Sequence, residues 1–82
     1  MKIEILGTGC KKCNQLEANA KAAADKLGLQ YELAHVKDLT KIASYGVLMT
    51  PALVIDGQVR ATGKVASEAE ITSWLTDALG QG

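Results

Sequence analysis

Lys2-Ile3-Glu4-Ile5-Leu6-Gly7-Thr8-Gly9-Cys10-Lys11-Lys12-Cys13 is the stretch on which the reading of this chain turns. Lys2 to Leu6 alternates charged with apolar residues, the pattern of a short strand. Gly7-Thr8-Gly9 breaks that alternation. From Cys10 to Leu27 the residues Cys13, Leu16, Ala20, Ala24 and Leu27 recur at three- and four-residue steps among Ala, Lys, Glu and Gln, which predicts a helix. Gly28 stands where the C-terminal cap of that helix belongs. A Cys-x-x-Cys pair is therefore placed at a strand-to-helix junction, the context that makes its spacing informative.

Beyond the junction, Leu29 to Val36 alternates again and predicts a second strand. Asp38 can cap a short helix carrying Leu39, Ile42 and Ala43, ended by Gly46. Thr50-Pro51 precedes the apolar run Ala52-Leu53-Val54-Ile55, and Asp56-Gly57 then signals a tight hairpin into Gln58 to Thr62. Ser67 with Glu70 has the spacing of a capping box, ahead of a helix with Ile71, Trp74, Leu75, Ala78 and Leu79 on one face. The order is β-α-β-α-β-β-α. The first strand, crossover helix and second strand form a parallel, right-handed unit, and the hairpin adds two antiparallel strands. We expect an α/β fold with a four-stranded mixed sheet and helices on both faces, in one domain over residues 1–82.

Composition supports a small core and narrows the partners. The chain has 82 residues, 48% of them apolar, but Trp74, Tyr31 and Tyr45 are its only aromatics, so Leu, Ile, Val and Ala must fill the interior. Nine basic and nine acidic side chains balance, which argues against nucleic acid as a partner. No apolar run approaches the ~20 residues of a membrane span, so no membrane association is expected. The residues after Met1 lack the pattern of a secretory leader, and a cytoplasmic monomer is expected.

Two cysteines this close can be a staple, a metal site or a redox pair. A staple would close a tiny loop and restrict the unfolded chain little, and a reducing cytosol disfavours it. Metal and redox readings remain. For redox work, Cys10 at a helix N-terminus is where free N–H groups and the macrodipole stabilise a thiolate. Lys11 and Lys12 add positive charge. Cys13, one turn on and at the head of the apolar stripe, is more buried. Cys10 is thus the expected nucleophile, and Cys13 the resolver of the mixed disulfide.

Gly7 to Cys13, Thr50 to Gly57 and Gly63-Lys64-Val65-Ala66-Ser67 together resemble the thioredoxin–glutaredoxin superfamily, and most closely its very small members, the thioredoxin-like redox-active disulfide proteins. The resemblance spans nearly the whole chain. It implies a disulfide oxidoreductase without a bound cofactor, acting on disulfide-containing client proteins and recharged by a thioredoxin-reductase-like donor. It also implies a cis Thr50–Pro51 bond, with the Thr50 backbone beside the cysteines and Gly63 nearby as a docking edge for an extended substrate. The aromatic residue that ordinary thioredoxins carry before the first cysteine is Gly9 here. The glycine pair and acid with which glutaredoxins hold glutathione are only partly present, as Gly63 and the distant Ser67-Glu68, which counts against glutathione. Glu4, six residues before Cys10, stands where thioredoxins keep a buried acid that helps move the resolver's proton. A position at the rim, facing solvent or a lysine, is the other reading of Glu4.

Two other classes compete. A copper-type carrier also places Cys-x-x-Cys after its first strand, and paired thiolates suit Cu(I). Such carriers usually have Met where Thr8 stands, and they run β-α-β-β-α-β. A zinc site shared between two chains is weaker, since one chain supplies two thiolates and no nearby histidine. The third class is a binding module switched by its disulfide. His35, the one histidine, ends a strand and is expected at the surface, not as a ligand.

Overall fold

The computed structural model describes residues 1–9 and 11–80. Expectations that concern Cys10 itself fall outside those residues. The elements are β1 (Lys2–Leu6), α1 (Lys11–Lys26), β2 (Glu32–Val36), α2 (Leu39–Ser44), β3 (Ala52–Ile55), β4 (Gln58–Thr62) and α3 (Glu68–Gly80). They form a four-stranded sheet in the order β2-β1-β3-β4. β1 runs parallel to β2 and antiparallel to β3, so it is an inner strand and its C-terminal end opens into the junction with α1. This is the α/β architecture expected from the sequence.

Strand alternation divides the interior into two layers. Ile3 and Ile5 of β1 face Leu16, Ala20, Ala23 and Ala24 of α1 together with Ile71 and Leu75 of α3. The small alanines bring α1 close to the sheet, and each fully buried Leu or Ile contributes roughly 1.5–3 kcal/mol. Leu6, Ala52 and Val54 point the other way, against Ile42 of α2, Val47 and Tyr45. Helices thus cover both faces.

The local signals explain the boundaries. Asp38 caps α2 by accepting from the Thr40 amide at 3.0 Å. Ser67 and Glu70 close a reciprocal capping box, with Glu70 N donating to Ser67 Oγ at 3.1 Å and Ser67 N to Glu70 Oε1 at 3.2 Å. Asp56 and Gly57 both have positive φ, at 48° and 82°, the two-residue hairpin turn that the sequence announces. Lys2 N donates to Asp56 Oδ1 at 2.8 Å, which ties that turn to the start of β1.

Three expectations shift. The second strand begins at Glu32, because Leu29 N is taken by the Ala24 carbonyl in the turn that ends α1. Leu39, in the first turn of α2, is 67% exposed, so Ile42 alone anchors that helix. Leu79 is 52% exposed, although Ala78 beside it still packs against the layer that buries Ile71 and Leu75.

Candidate active site

Gly7 closes β1. Its amide donates to the Val36 carbonyl at 2.9 Å, which holds the strand end against β2. Cys13, in the first turn of α1, is fully buried. A Cβ on Gly7 would overlap the Cys13 sulfur and would stand 3.8 Å from Thr50 Cβ. Gly7, Cys13 and Thr50 therefore meet at one point, and the absence of a side chain on Gly7 is what makes room for the sulfur. In the sequence Gly7 reads as a strand breaker and as the first residue of the block that resembles the superfamily, with no packing role of its own. The signal for its second role was a glycine at the strand end directly before a cysteine-bearing helix.

Thr50 and Pro51 lead into β3, with Thr50 exposed and Pro51 buried. Their peptide bond is cis. The Pro51 carbonyl accepts from Gly63 N at 2.9 Å, so the loop before β3 and the turn after β4 form one edge. Gly63 has a φ of +70°, in the left-handed region that suits glycine. The Met49 side chain lies across it, with Met49 Cβ 3.1 Å from where a Gly63 Cβ would stand. Leu48 and Met49 are exposed on the same loop.

Lys11 and Lys12 are exposed at the start of α1, where no acidic side chain occupies the first turn. The partial positive charge of the helix N-terminus adds to theirs. Across from them, beyond β2, Lys37 reaches over Gly9. Its Cε and Nζ lie 3.6 and 3.8 Å from the position a Gly9 Cβ would take. Gly9 has a φ of +92°, a conformation that a residue with a side chain rarely adopts.

Glu4 is buried, at 3% exposure, on the inner strand β1. Alternation turns its side chain to the α2 face, whereas α1 packs on the opposite one. There Tyr45 Oη, at the C-cap of α2, donates to the carboxylate, lying 2.8 and 2.7 Å from its two oxygens. That hydrogen bond, reinforced by burial, raises the Tyr45 pKa above the ordinary 10.0. Glu4 is thus not a rim residue, and its observed partner is Tyr45.

His35 corrects a sequence expectation. It is not at the surface: its side chain is only 13% exposed, and its Nδ1 lies 3.7 Å from a Glu17 oxygen of α1. β2 is an edge strand, but α1 covers that face of it. Among the described residues no group of three or more His, Cys, Asp and Glu side chains comes together, and no helix is long and apolar enough to cross a membrane.

The chain matches the family model described as thioredoxin domain over residues 1–76. The chain belongs to the thioredoxin-domain family. It is 41% identical over 76 residues to a thioredoxin of Methanothermobacter thermautotrophicus, covering 93% of this chain and 99% of that protein. It is also 41% identical over 73 residues to a thioredoxin of Methanocaldococcus jannaschii, covering 89% of this chain and 84% of that protein. The architecture, with Cys13 on the first helix and Thr50–Pro51 leading into β3, is that of a minimal thioredoxin fold. Family membership supports a thiol–disulfide oxidoreductase role in general terms.

Proposed function

We propose that this thioredoxin-domain protein reduces disulfides of client proteins through a reversible Cys10–Cys13 disulfide. The Cys10 thiolate attacks one sulfur of the client disulfide. A Cys10–client bond forms as the client bond breaks, and the other client sulfur leaves as a thiolate. Cys13, once deprotonated, attacks the Cys10 sulfur, closes the internal disulfide and releases the second client thiolate. Two electrons have then passed to the client. An external dithiol of thioredoxin-reductase type returns them, in the cytoplasm and without glutathione, and the protein works as a monomer.

The observation that carries this reading is the seat of Cys13. In the first turn of α1, its buried sulfur lies against Gly7 and near Thr50. A resolver needs that seclusion, because an exposed second thiol would itself be open to attack by solvent oxidants or clients. The exposed Thr50 loop supplies a main-chain edge with which an extended client segment can pair. Lys11 and Lys12 favour the thiolate at the mouth of the site.

Trapping tests the assignment. Cys13→Ser should accumulate stable mixed disulfides at Cys10, and Cys10→Ser should abolish insulin-type disulfide reduction with a dithiol donor. In the reduced protein, an alkylating agent at neutral pH should modify Cys10 well before Cys13. Full reductase activity in Cys10→Ser would overturn the mechanism. Tight one-to-one Cu(I) binding without disulfide turnover would favour the carrier instead.

A further inference from the structure

The charge around the Cys-x-x-Cys loop does not come from α1 alone. Lys37 lies 27 residues beyond Cys10 in sequence, yet its ammonium stands over Gly9, the residue bonded to Cys10. A Cβ on Gly9 would meet the end of the Lys37 side chain at ordinary van der Waals distance, so the two lie in direct contact range. Gly7, two residues earlier, is pinned to Val36, the residue before Lys37, by its 2.9 Å hydrogen bond. The backbone on either side of the approach is therefore fixed.

Among the described residues no carboxylate of the adjoining elements forms an ion pair with this charge. Lys11, Lys12 and Lys37 make no ion pair among the described residues. Asp38, next to Lys37, is committed to the Thr40 amide as the cap of α2. The loop from Val47 to Pro51 and the β1 end from Leu6 to Gly9 contribute no titratable side chain. On α1, Cys13 is buried below, and Glu17 lies 3.7 Å from Nδ1 of His35 on β2, two residues before Lys37. Glu4 faces the other side of the sheet, bonded to Tyr45.

We propose that Lys37 is a positioning residue of the redox site, stabilising the Cys10 thiolate electrostatically from outside the helix that bears it. This rests on the reading of Cys10 as nucleophile. A cation over Gly9 stands beside the backbone that leads into Cys10, and among the described residues it forms no ion pair with a carboxylate. It favours the attacking thiolate; in the later step Cys13 attacks the Cys10 sulfur and the client thiolate is the group that leaves. Lys37 is exposed, so its effect is moderate and sensitive to salt.

The test is a pH titration of the thiolate ultraviolet absorbance in the full chain, in the Cys13→Ser background so that one thiol is counted. Lys37→Gln should raise the Cys10 pKa by about half a unit at low ionic strength, the order of shift that a single exposed cation produces in a largely aqueous dielectric. Attack on a small disulfide should slow by about threefold below that pKa and remain unchanged well above it. Lys37→Arg should restore the wild-type titration, Lys37→Glu should exceed Lys37→Gln, and molar salt should erase the difference. Identical titrations of Lys37 and Lys37→Gln proteins at low salt would overturn the proposal, as would a shift that Arg does not rescue. Failure of the underlying mechanism is separable. It would appear as reductase activity surviving Cys10→Ser, whatever the titration shows.

Discussion

Gly7→Ala should displace Cys13 and report on how tightly the resolver is seated. The added methyl would occupy the position of the Cys13 sulfur, with Cys13 Cβ 3.5 Å and Thr50 Cβ 3.8 Å away on the remaining sides. Gly7 does not have a left-handed φ, so alanine meets no backbone penalty there and the effect is purely one of space. Inserting a methyl into a packed site costs about 1–3 kcal/mol. The stiffer unfolded chain of the alanine variant offsets about 0.4–1 kcal/mol of that. A net loss of ~1–2 kcal/mol should lower the urea midpoint by roughly 1 M at an unchanged slope. Kinetically, the first attack by Cys10 should persist, while release of the client from the mixed disulfide slows because Cys13 has moved. Gly80→Ala is the control: among the described residues, no atom beyond its own helix backbone and chain neighbours lies within 4 Å of the added methyl, so stability should hold or rise slightly. A Gly7→Ala protein with the wild-type midpoint and the wild-type resolution rate would refute the close approach of Gly7 and Cys13.

Other expectations follow from single contacts. Tyr45→Phe leaves the buried Glu4 carboxylate without its donor and should cost about 1–3 kcal/mol, with Glu4→Gln in a double-mutant cycle showing strong coupling. Because the folded Tyr45 pKa is raised above 10.0, its contribution is fully present below pH 10 and is lost as pH rises through the folded value. The alkaline limb of a stability–pH curve should therefore be shallower in Tyr45→Phe. Ser67→Ala removes the cap of α3 and should cost ~1 kcal/mol, lowering Tm by roughly 4–8 °C in a thermal melt. Leu75→Ala, at a fully buried position between α3 and the sheet, should cost about 2–5 kcal/mol in the same denaturation assay.

Much of this protein is written locally. The capping box at Ser67 and Glu70, the Asp38 cap, the Asp56-Gly57 turn and the alternation of Lys2 to Leu6 each act through residues at most a few positions apart. Short-range sterics and hydrogen bonds are enough to specify them, and with right-handed crossover they order the sheet. The position of Cys13 one turn into a helix was legible for the same reason, since helical periodicity alone carries it inward with Leu16. Propensity served less well where packing ran out, at Leu39 and Leu79, because an apolar residue at the right helical angle is buried only if another element reaches it.

What required the folded chain were contacts between residues distant in sequence. Spacing put Glu4 six residues before Cys10, but only the two-layer packing shows that it faces α2 and meets Tyr45, 41 positions away. His35 read as a surface residue because its burial depends on α1 crossing over β2. Gly7 read as a breaker because the sulfur that fills its missing side chain sits on another element. Lys37 carried no signal at all, since nothing in its neighbours places it over Gly9. Charge and shape at this site are set by β1, α1, β2 and the loop before β3 converging at one end of the sheet, and convergence is a property of the tertiary arrangement that no local pattern encodes.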